Sequence, residues 1–227
     1  YRYGSSGTEV MLAEYGYDGY PASSLNGVTF LAESGFDQSF CSYVKGLKTW
    51  EHVMSIDPDK TESSYGNSIG SLITRAFFSD ARGRIIQRAE RNIMGQISRI
   101  TTKYDHVDNP VLVKESHAVT SSFVVSASTA MTYDREGRLT SSVTTFGSET
   151  SSVSYQYDDI GRPKSITLGS ITSPAAVVTD SFTIQGWLKQ RTSTKFTSLL
   201  LYENPSHAST PSSPGLVVNI TEWKTYR

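Results

Sequence analysis

The chain has 227 residues, a formal net charge of −1 and a single cysteine, Cys41. The length suits one large or two small domains. The near-neutral charge gives no reason to expect nucleic acid or an acidic membrane as partner, and a lone cysteine excludes an intrachain disulfide. The first residue is Tyr1 rather than Met, no charged segment followed by an apolar leader-like stretch appears, and no apolar run reaches membrane-spanning length, so the sequence is expected to be an internal excerpt of something longer.

Its 35 Ser and 24 Thr are about a quarter of the chain and, with 13 Tyr and 9 Phe, favour strands and turns over helices. Residues 1–70 are irregular. Tyr15-Gly16-Tyr17-Asp18-Gly19-Tyr20-Pro21 is rich in aromatics and turn formers. Cys41, between Phe40 and Tyr43, is expected as a small buried residue rather than a reactive thiol. A strand is expected around Lys48–Val53, then a polar loop over 57–71, then a strand over Leu72–Phe78.

From residue 78 onward a repeat sets the organisation. Tyr133-Asp134-Arg135-Glu136-Gly137-Arg138-Leu139 is echoed by Tyr157-Asp158-Asp159-Ile160-Gly161-Arg162-Pro163. An earlier copy reads Ser79-Asp80-Ala81-Arg82-Gly83-Arg84-Ile85, and degraded copies are Tyr104-Asp105-His106-Val107-Asp108-Asn109-Pro110 and Phe182-Thr183-Ile184-Gln185-Gly186-Trp187-Leu188. The glycine position falls at 83, 108, 137, 161 and 186. The flanks alternate: Val153, Tyr155 and Tyr157 against Ser154 and Gln156, and Phe182 and Ile184 against Ser181 and Thr183. Strict alternation predicts strands with one buried and one polar face. A loop with Pro205, Pro211 and Pro214 is expected over 203–215, and a closing strand over Leu216–Trp223.

Each part of the repeat has a structural use. Asp-x-x-Gly between strands suits a type I turn followed by a residue at positive φ, the hairpin with a glycine bulge. Asp accepts hydrogen bonds from turn N–H groups, and Gly adopts the left-handed conformation without a Cβ clash. The Tyr before Asp can stack on an aromatic of the next copy, and the Arg after Gly can pair with Asp or lie across a neighbouring ring. Where Asp108-Asn109 replaces Gly-Arg, the turn survives, because Asp and Asn tolerate positive φ. Trp187 replaces Arg in the last copy with a larger apolar group. The structural turn residues are therefore Asp80, Gly83, Arg84, Tyr104, Asp105, Tyr133, Asp134, Gly137, Arg138, Tyr157, Asp158, Gly161, Arg162, Gly186 and Trp187.

Chemistry is sparse. Gly66-Asn67-Ser68-Ile69-Gly70 matches the G-x-S-x-G elbow of serine esterases, but polar residues precede it and a strand is expected to follow. A Ser68 esterase stays a remote alternative, and a Gly/Ser loop is the preferred reading. His52, His106, His117 and His207 show no metal-ligand spacing with one another or with Cys41, and His106 is expected to be exposed in its turn. Arg75, Arg82, Arg84, Arg88, Arg91, Arg99 and Lys103 outnumber Asp80 and Glu90, and are read as a solvated strand face before an anion-binding one. Aromatics at Tyr15–Tyr20, Trp187 and Trp223 offer an alternative, carbohydrate-binding surface, against inter-repeat packing as the preferred use. Asn219-Ile220-Thr221 is a glycosylation sequon read as incidental.

The recurring Tyr-Asp-x-x-Gly-Arg copies resemble the YD repeat of the Rhs family, in detail the Rhs-like proteins of Bacteroidetes. Lys45-Gly46-Leu47-Lys48-Thr49, Arg75 to Gln87, Phe182 to Leu188 and Asn219 to Trp223 carry the likeness, which is good over about 45–225. The resemblance implies an all-β fold of repeated antiparallel hairpins in a curved or spiralling sheet, a wall segment of a shell. It implies a bacterial surface or secreted location and, in toxin members, an enclosed C-terminal effector. The family's self-cleaving core domain has no counterpart here. The expectation is one repeat-built β domain over 1–227 (leading strands and loops to 70, repeats and closing strand from 71). It is expected to be non-catalytic and without cofactor or metal. Its expected partners are the rest of its own chain, an enclosed effector, and other copies through sheet edges.

Overall fold

The computed structural model describes residues 2–3, 10–36, 39–54, 72–118, 124–202 and 220–226. A short two-stranded ribbon pairs β1 (Arg2–Tyr3) with β2 (Val10–Met11). The remaining strands are β3 (Ala13–Gly19), β4 (Tyr43–Met54), β5 (Leu72–Ser79), β6 (Ile85–Arg91), β7 (Ile97–Tyr104), β8 (Pro110–Ala118) and β9 (Val124–Tyr133). They continue with β10 (Leu139–Phe146), β11 (Glu149–Tyr157), β12 (Pro163–Gly169), β13 (Pro174–Phe182), β14 (Leu188–Ser193), β15 (Thr197–Tyr202) and β16 (Ile220–Tyr226). One four-residue helix, α1 (Ala22–Leu25), interrupts them. The 14 strands β3 to β16 follow one another in chain order in one open antiparallel sheet. The all-β class and the hairpin organisation are as the sequence leads one to expect.

The chain divides into two compact units, residues 1–130 with 145–149, and residues 131–144 with 150–227. In the first, residues of the segments 20–36 and 39–42 pack against the sheet. Their Leu25 and Val28 are buried with Trp50, Ala76, Phe78 and Ala89, and Tyr20, Phe30 and Phe40 pack against this cluster. Phe78 is the centre of an aromatic group, with ring centroids 5.1 Å from Tyr20, 5.6 Å from Phe30 and 5.2 Å from Phe40. Opposite-face alternation of β5, with Leu72, Thr74, Ala76 and Phe78 all buried, brings these side chains to the covered face.

Polar contacts fasten this cap. Tyr20 Oη donates to Phe77 O (2.9 Å), and Ser79 N donates back to Tyr20 Oη (3.2 Å). The fully buried Gln87 accepts from Leu31 N (2.9 Å) and donates to Leu31 O (2.8 Å), closing a two-bond clamp. His52 Nε2 lies 2.6 Å from Ser24 O; a carbonyl only accepts, so that nitrogen carries the proton. Gly16 sits opposite Trp50 in the β3–β4 register, and a Cβ there would fall 2.0 Å from the indole.

In the second unit β11 to β16 pair in sequence, with Val153, Tyr155, Ile166, Leu168, Ala176 and Val178 registered along one face. Ser154, Gln156, Ser165, Thr167, Val177 and Thr179 occupy the other. Asp180 is the one buried side chain among its described residues, and Arg191 holds it through two bonds of 2.7 and 2.6 Å.

Several expectations change. The buried-face reading of the alternating strands holds where the cap lies and fails in the second unit, whose faces are both only partly covered. Ile184 is not a strand residue: β13 ends at Phe182, and Ile184 stands fully exposed at the turn tip. Cys41 is only partly buried, with its thiol 3.1 Å from Tyr43 O. The strand expected at Lys48–Val53 extends over Tyr43–Met54, and the closing strand runs over Ile220–Tyr226. The loops expected over 57–71 and 203–215, the Ser68 elbow, His207 and Asn219 lie outside the described residues.

Candidate functional site

The repeat copies form hairpin turns of one design. In each, the first residue's N–H donates to the carbonyl four positions on, and the glycine-position N–H donates back to the first residue's carbonyl. At Asp80 these bonds are 2.9 and 3.0 Å, at Asp134 3.0 and 3.1 Å, at Asp158 2.9 and 2.9 Å, and at Thr183 2.8 and 2.9 Å. Gly83, Gly137, Gly161 and Gly186 take φ of 78° to 90°, and Asp108 takes 71° in the substituted copy. This bonding with a left-handed fourth residue is the three-residue hairpin closed by a glycine bulge.

The Asp carboxylate organises the turn. Asp80 Oδ1 accepts from Arg82 N (2.9 Å) and Arg84 N (3.0 Å), and its Oδ2 accepts from Arg84 Nε (2.8 Å). Asp134 and Asp158 repeat the pattern with Arg138 Nε and Arg162 Nε at 2.6 and 2.7 Å. In the substituted copy Asn109 Nδ2 reaches Asp105 Oδ2 at 3.1 Å, so the amide keeps the local bond although the cation is gone. Thr183 Oγ1 accepts from Trp187 N (3.1 Å) in the last copy. Desolvation pushes each of these Asp carboxyls up. The guanidinium and backbone N–H bonds outweigh it and hold Asp80, Asp134 and Asp158 below the usual carboxylate range. At Asp105 the bonds from Asn109 and Val107 do the same.

Arginine also joins one copy to the next. Within the first unit Arg84 lies 5.0 Å from the Tyr104 ring centroid, and its Nη1 reaches Asp105 O (3.1 Å) and Asp108 Oδ1 (2.7 Å). Tyr104 Oη donates to Ile85 O at 3.2 Å. Within the second unit Arg138 covers Tyr157 at 4.7 Å, and Tyr157 Oη donates to Leu139 O at 2.8 Å. Arg162 covers Phe182 at 4.3 Å. Each Arg therefore closes its own turn with Nε and presents its flat face to the aromatic of the following copy. Such a stack contributes about 0.5–1 kcal/mol at an exposed site. The glycines fit this ladder: a Cβ on Gly161 would lie 3.3 Å from Arg138 Nη1, and one on Gly186 3.5 Å from Arg162 Nη1.

Two members of the series escape a reading of the sequence. Asn92-Ile93-Met94-Gly95-Gln96 forms the same turn, with Gly95 at φ 82° and Asn92 Oδ1 accepting from Met94 N (3.0 Å) and Gln96 N (2.9 Å). Asn for Asp and Gln for Arg disguised it. The other is split. Tyr17 is opposite Lys48, after a register shift, as Tyr157 is opposite Pro163, and Asp18 then pairs with Val44, so that residues 45–47 stand out of the ladder. Gly46 N donates to Asp18 Oδ1 at 2.5 Å, and Leu47 Cδ1 would meet a Cβ on Gly83 at 3.3 Å, the place an Arg fills elsewhere. The cap is thus an insertion within a Tyr-Asp turn.

The basic run of 75–103 resolves mostly into ion pairs. Arg75 bridges Glu51 (2.9 Å) and Glu90 (2.5 Å), Arg82 meets Asp108 (3.1 Å) and Arg88 meets Glu90 (3.1 Å). Arg99 differs, and its Nε is the buried side-chain polar atom without a partner among the described residues. His106 is exposed, His117 Nδ1 lies 2.6 Å from Ser98 Oγ, and the described residues hold no cluster able to bind a metal. Of the aromatics weighed for sugar stacking, Tyr20 belongs to the cap, whereas Tyr15 and Tyr17 are exposed. No described helix is long and apolar enough to cross a membrane.

The RHS Repeat family model matches residues 133–170, the stretch that spans the Asp134 and Asp158 turns. No curated protein matches. Among solved structures the chain is similar to one in the Photorhabdus luminescens Tc holotoxin pore, at 14% identity and a TM-score of 0.35, over 67% of this chain and 10% of that one. The chain thus spans about a tenth of the length of that relative. The chain thus carries an RHS Repeat over residues 133–170, within an all-β array of antiparallel strands.

Proposed function

We propose that this chain is a non-catalytic scaffold, a wall segment of an Rhs-type shell within a longer surface or exported toxin-type protein. The observation that carries this reading is the ladder. The side chains of the repeat satisfy their own turn and then lock onto the next copy, as Arg138 does on Tyr157 and Arg162 on Phe182. The repeat's most polar groups are consumed in building, so the array extends a wall rather than presenting a reactive centre. In this reading the residues form one repeat-built β domain and need no cofactor. Residues 131–227 continue the pattern, the sheet curves into a shell in the whole protein, and a C-terminal effector lies behind it, at the bacterial surface or outside the cell. The end strands β3 and β16 would be covered in the parent, and in the excerpt they offer backbone edges for self-association.

Limited proteolysis of the complete parent chain tests the reading. The C-terminal region is expected to resist cleavage while attached behind the repeats and to be cut rapidly once freed. Equal rates in both states would reject the container and leave an exposed spacer.

A further inference from the structure

We propose that the capped unit carries a binding pocket for a carboxylate on a short aliphatic stem, with Arg99 as its anchor. The pocket has a volume of about 290 Å³ and opens where the cap residues Leu31 and Glu33 meet β7, β8 and β9. That is close to the lower bound of about 300 Å³ for ligand pockets and fits a small acid or a single residue of a peptide.

Its floor is set by strand register. Arg99 stands directly opposite Ser116, and Ser116 opposite Ser126, so a guanidinium and two hydroxyls form one row across three strands. All three line the pocket, as do Ile97 and Val124. The charges do not balance. Glu33 is ion-paired with Lys114, which leaves Arg99 as a surplus positive charge among the ionisable groups that line the cavity. Desolvation pushes the Arg99 pKa down, and Glu33 offsets this only in part. Its buried Nε–H lacks an acceptor. A buried N–H without a partner is costly, and a guanidinium is satisfied best by a planar two-oxygen anion. A carboxylate would supply the missing acceptor and the missing charge together. Ser116 and Ser126 can donate to its oxygens, and Ile97, Val124 and Leu31 are suited to its alkyl stem. The neighbouring basic residues Arg75, Arg82, Arg84 and Arg88 already hold acidic partners, and Arg99 Nε is the buried side-chain polar atom without a partner among the described residues.

The test follows the Arg99 Nε–H resonance and the Ser116 and Ser126 backbone amide resonances of the 227-residue chain by NMR during titration, the two amides serving alone in Arg99→Gln. The probes are isovalerate, its neutral isostere isovaleramide, inorganic phosphate, and a short peptide ending in Val-Leu with either a free or an amidated C-terminus. A saturable shift is expected with isovalerate or with the free-acid peptide and not with either amide. The tighter of the two acids identifies the source of the carboxylate, a free metabolite-sized acid or a polypeptide end. Arg99→Gln is expected to weaken binding at least about tenfold, the value of a charged hydrogen bond. Val124→Trp, which fills the cavity and leaves Arg99 in place, is expected to abolish binding. No saturable shift with either acid, equal shifts with the amides, phosphate binding as tight as the acids, or unaltered binding in Arg99→Gln would each overturn the proposal.

Discussion

The two units of this chain are built on the same hairpin and stabilised differently. Phe78 and Gln156 hold equivalent positions, each two residues before the Asp of a turn. In the first unit the cap covers that face, and the position is a buried aromatic surrounded by three other rings. In the second unit it is an exposed amide in a face of Ser and Thr. A hairpin array can therefore hold its register through turns, backbone ladders and the Asp–Arg–aromatic chain, with little apolar burial. Where burial is added, it comes from an inserted segment and leaves the repeat unchanged.

The largest test of this contrast is truncation at the paired positions. Phe78→Ala should cost about 3–5 kcal/mol, the usual effect of emptying a buried aromatic site. Gln156→Ala should stay within about 0.5 kcal/mol, as at ordinary surface positions. Urea unfolding with hydrogen exchange read separately over each unit would show it, and comparable losses at both positions would erase the distinction. Gly16→Ala comes next. Its Cβ would enter the Trp50 indole, and overpacking of this kind costs about 1–3 kcal/mol. The loss should appear as reduced protection of β3, β4 and the cap and leave β11–β14 untouched.

The turns sharpen the comparison within the second unit. Gly137→Ala meets no neighbour within 4 Å and bears only the cost of φ 78°, about 1–2 kcal/mol. Gly161→Ala has φ 86° and also presses on Arg138 Nη1 at 3.3 Å, so it should be the more destabilising. Thermal unfolding of the two variants measures the difference, and equality would mean that the Arg138 stack over Tyr157 gives way freely. The smallest expected effect is with pH. Asp80, Asp134 and Asp158 have folded-state values below the usual one. Their contribution is complete above the unfolded Asp value of about 3.9 and is lost as pH falls through the folded values. Stability should thus be flat from neutral pH to about 5 and decline below about 4. Asp158→Asn should shallow that acid limb, and a limb of unchanged slope would remove the carboxylate from the turn's energetics.

Much of this architecture is legible in the sequence because turn chemistry is local. Asp and Gly at fixed offsets demand the same backbone wherever they occur, and even Asp108 and Thr183 hold the turn with substitute groups. Inter-repeat stacking by the Arg was inferable from residue type, and its pairing with Asp as well; that one Arg does both at once was not. It is Arg that covers the next ring, while the Tyr hydroxyl reaches back to a carbonyl. Ile184 misled because an apolar side chain at a solvent-exposed turn tip mimics strand alternation. The Asn92 turn was hidden by amides in place of charges. The cap, and with it Arg99, depends on contacts such as Gln87 to Leu31 across 56 positions, which no local pattern encodes.

The divided turn at Asp18 and Gly46 shows where such a protein can acquire new parts. Closing a longer loop costs little more than closing a short one, since the entropy grows only with the logarithm of length. A hairpin tip whose two halves still find each other can accept a foreign segment without disturbing the strands on either side. Every Tyr-Asp tip in the array is by this logic a graft point. A lineage built this way can diversify by sideways addition, with each graft free to bring its own chemistry while the array remains in frame.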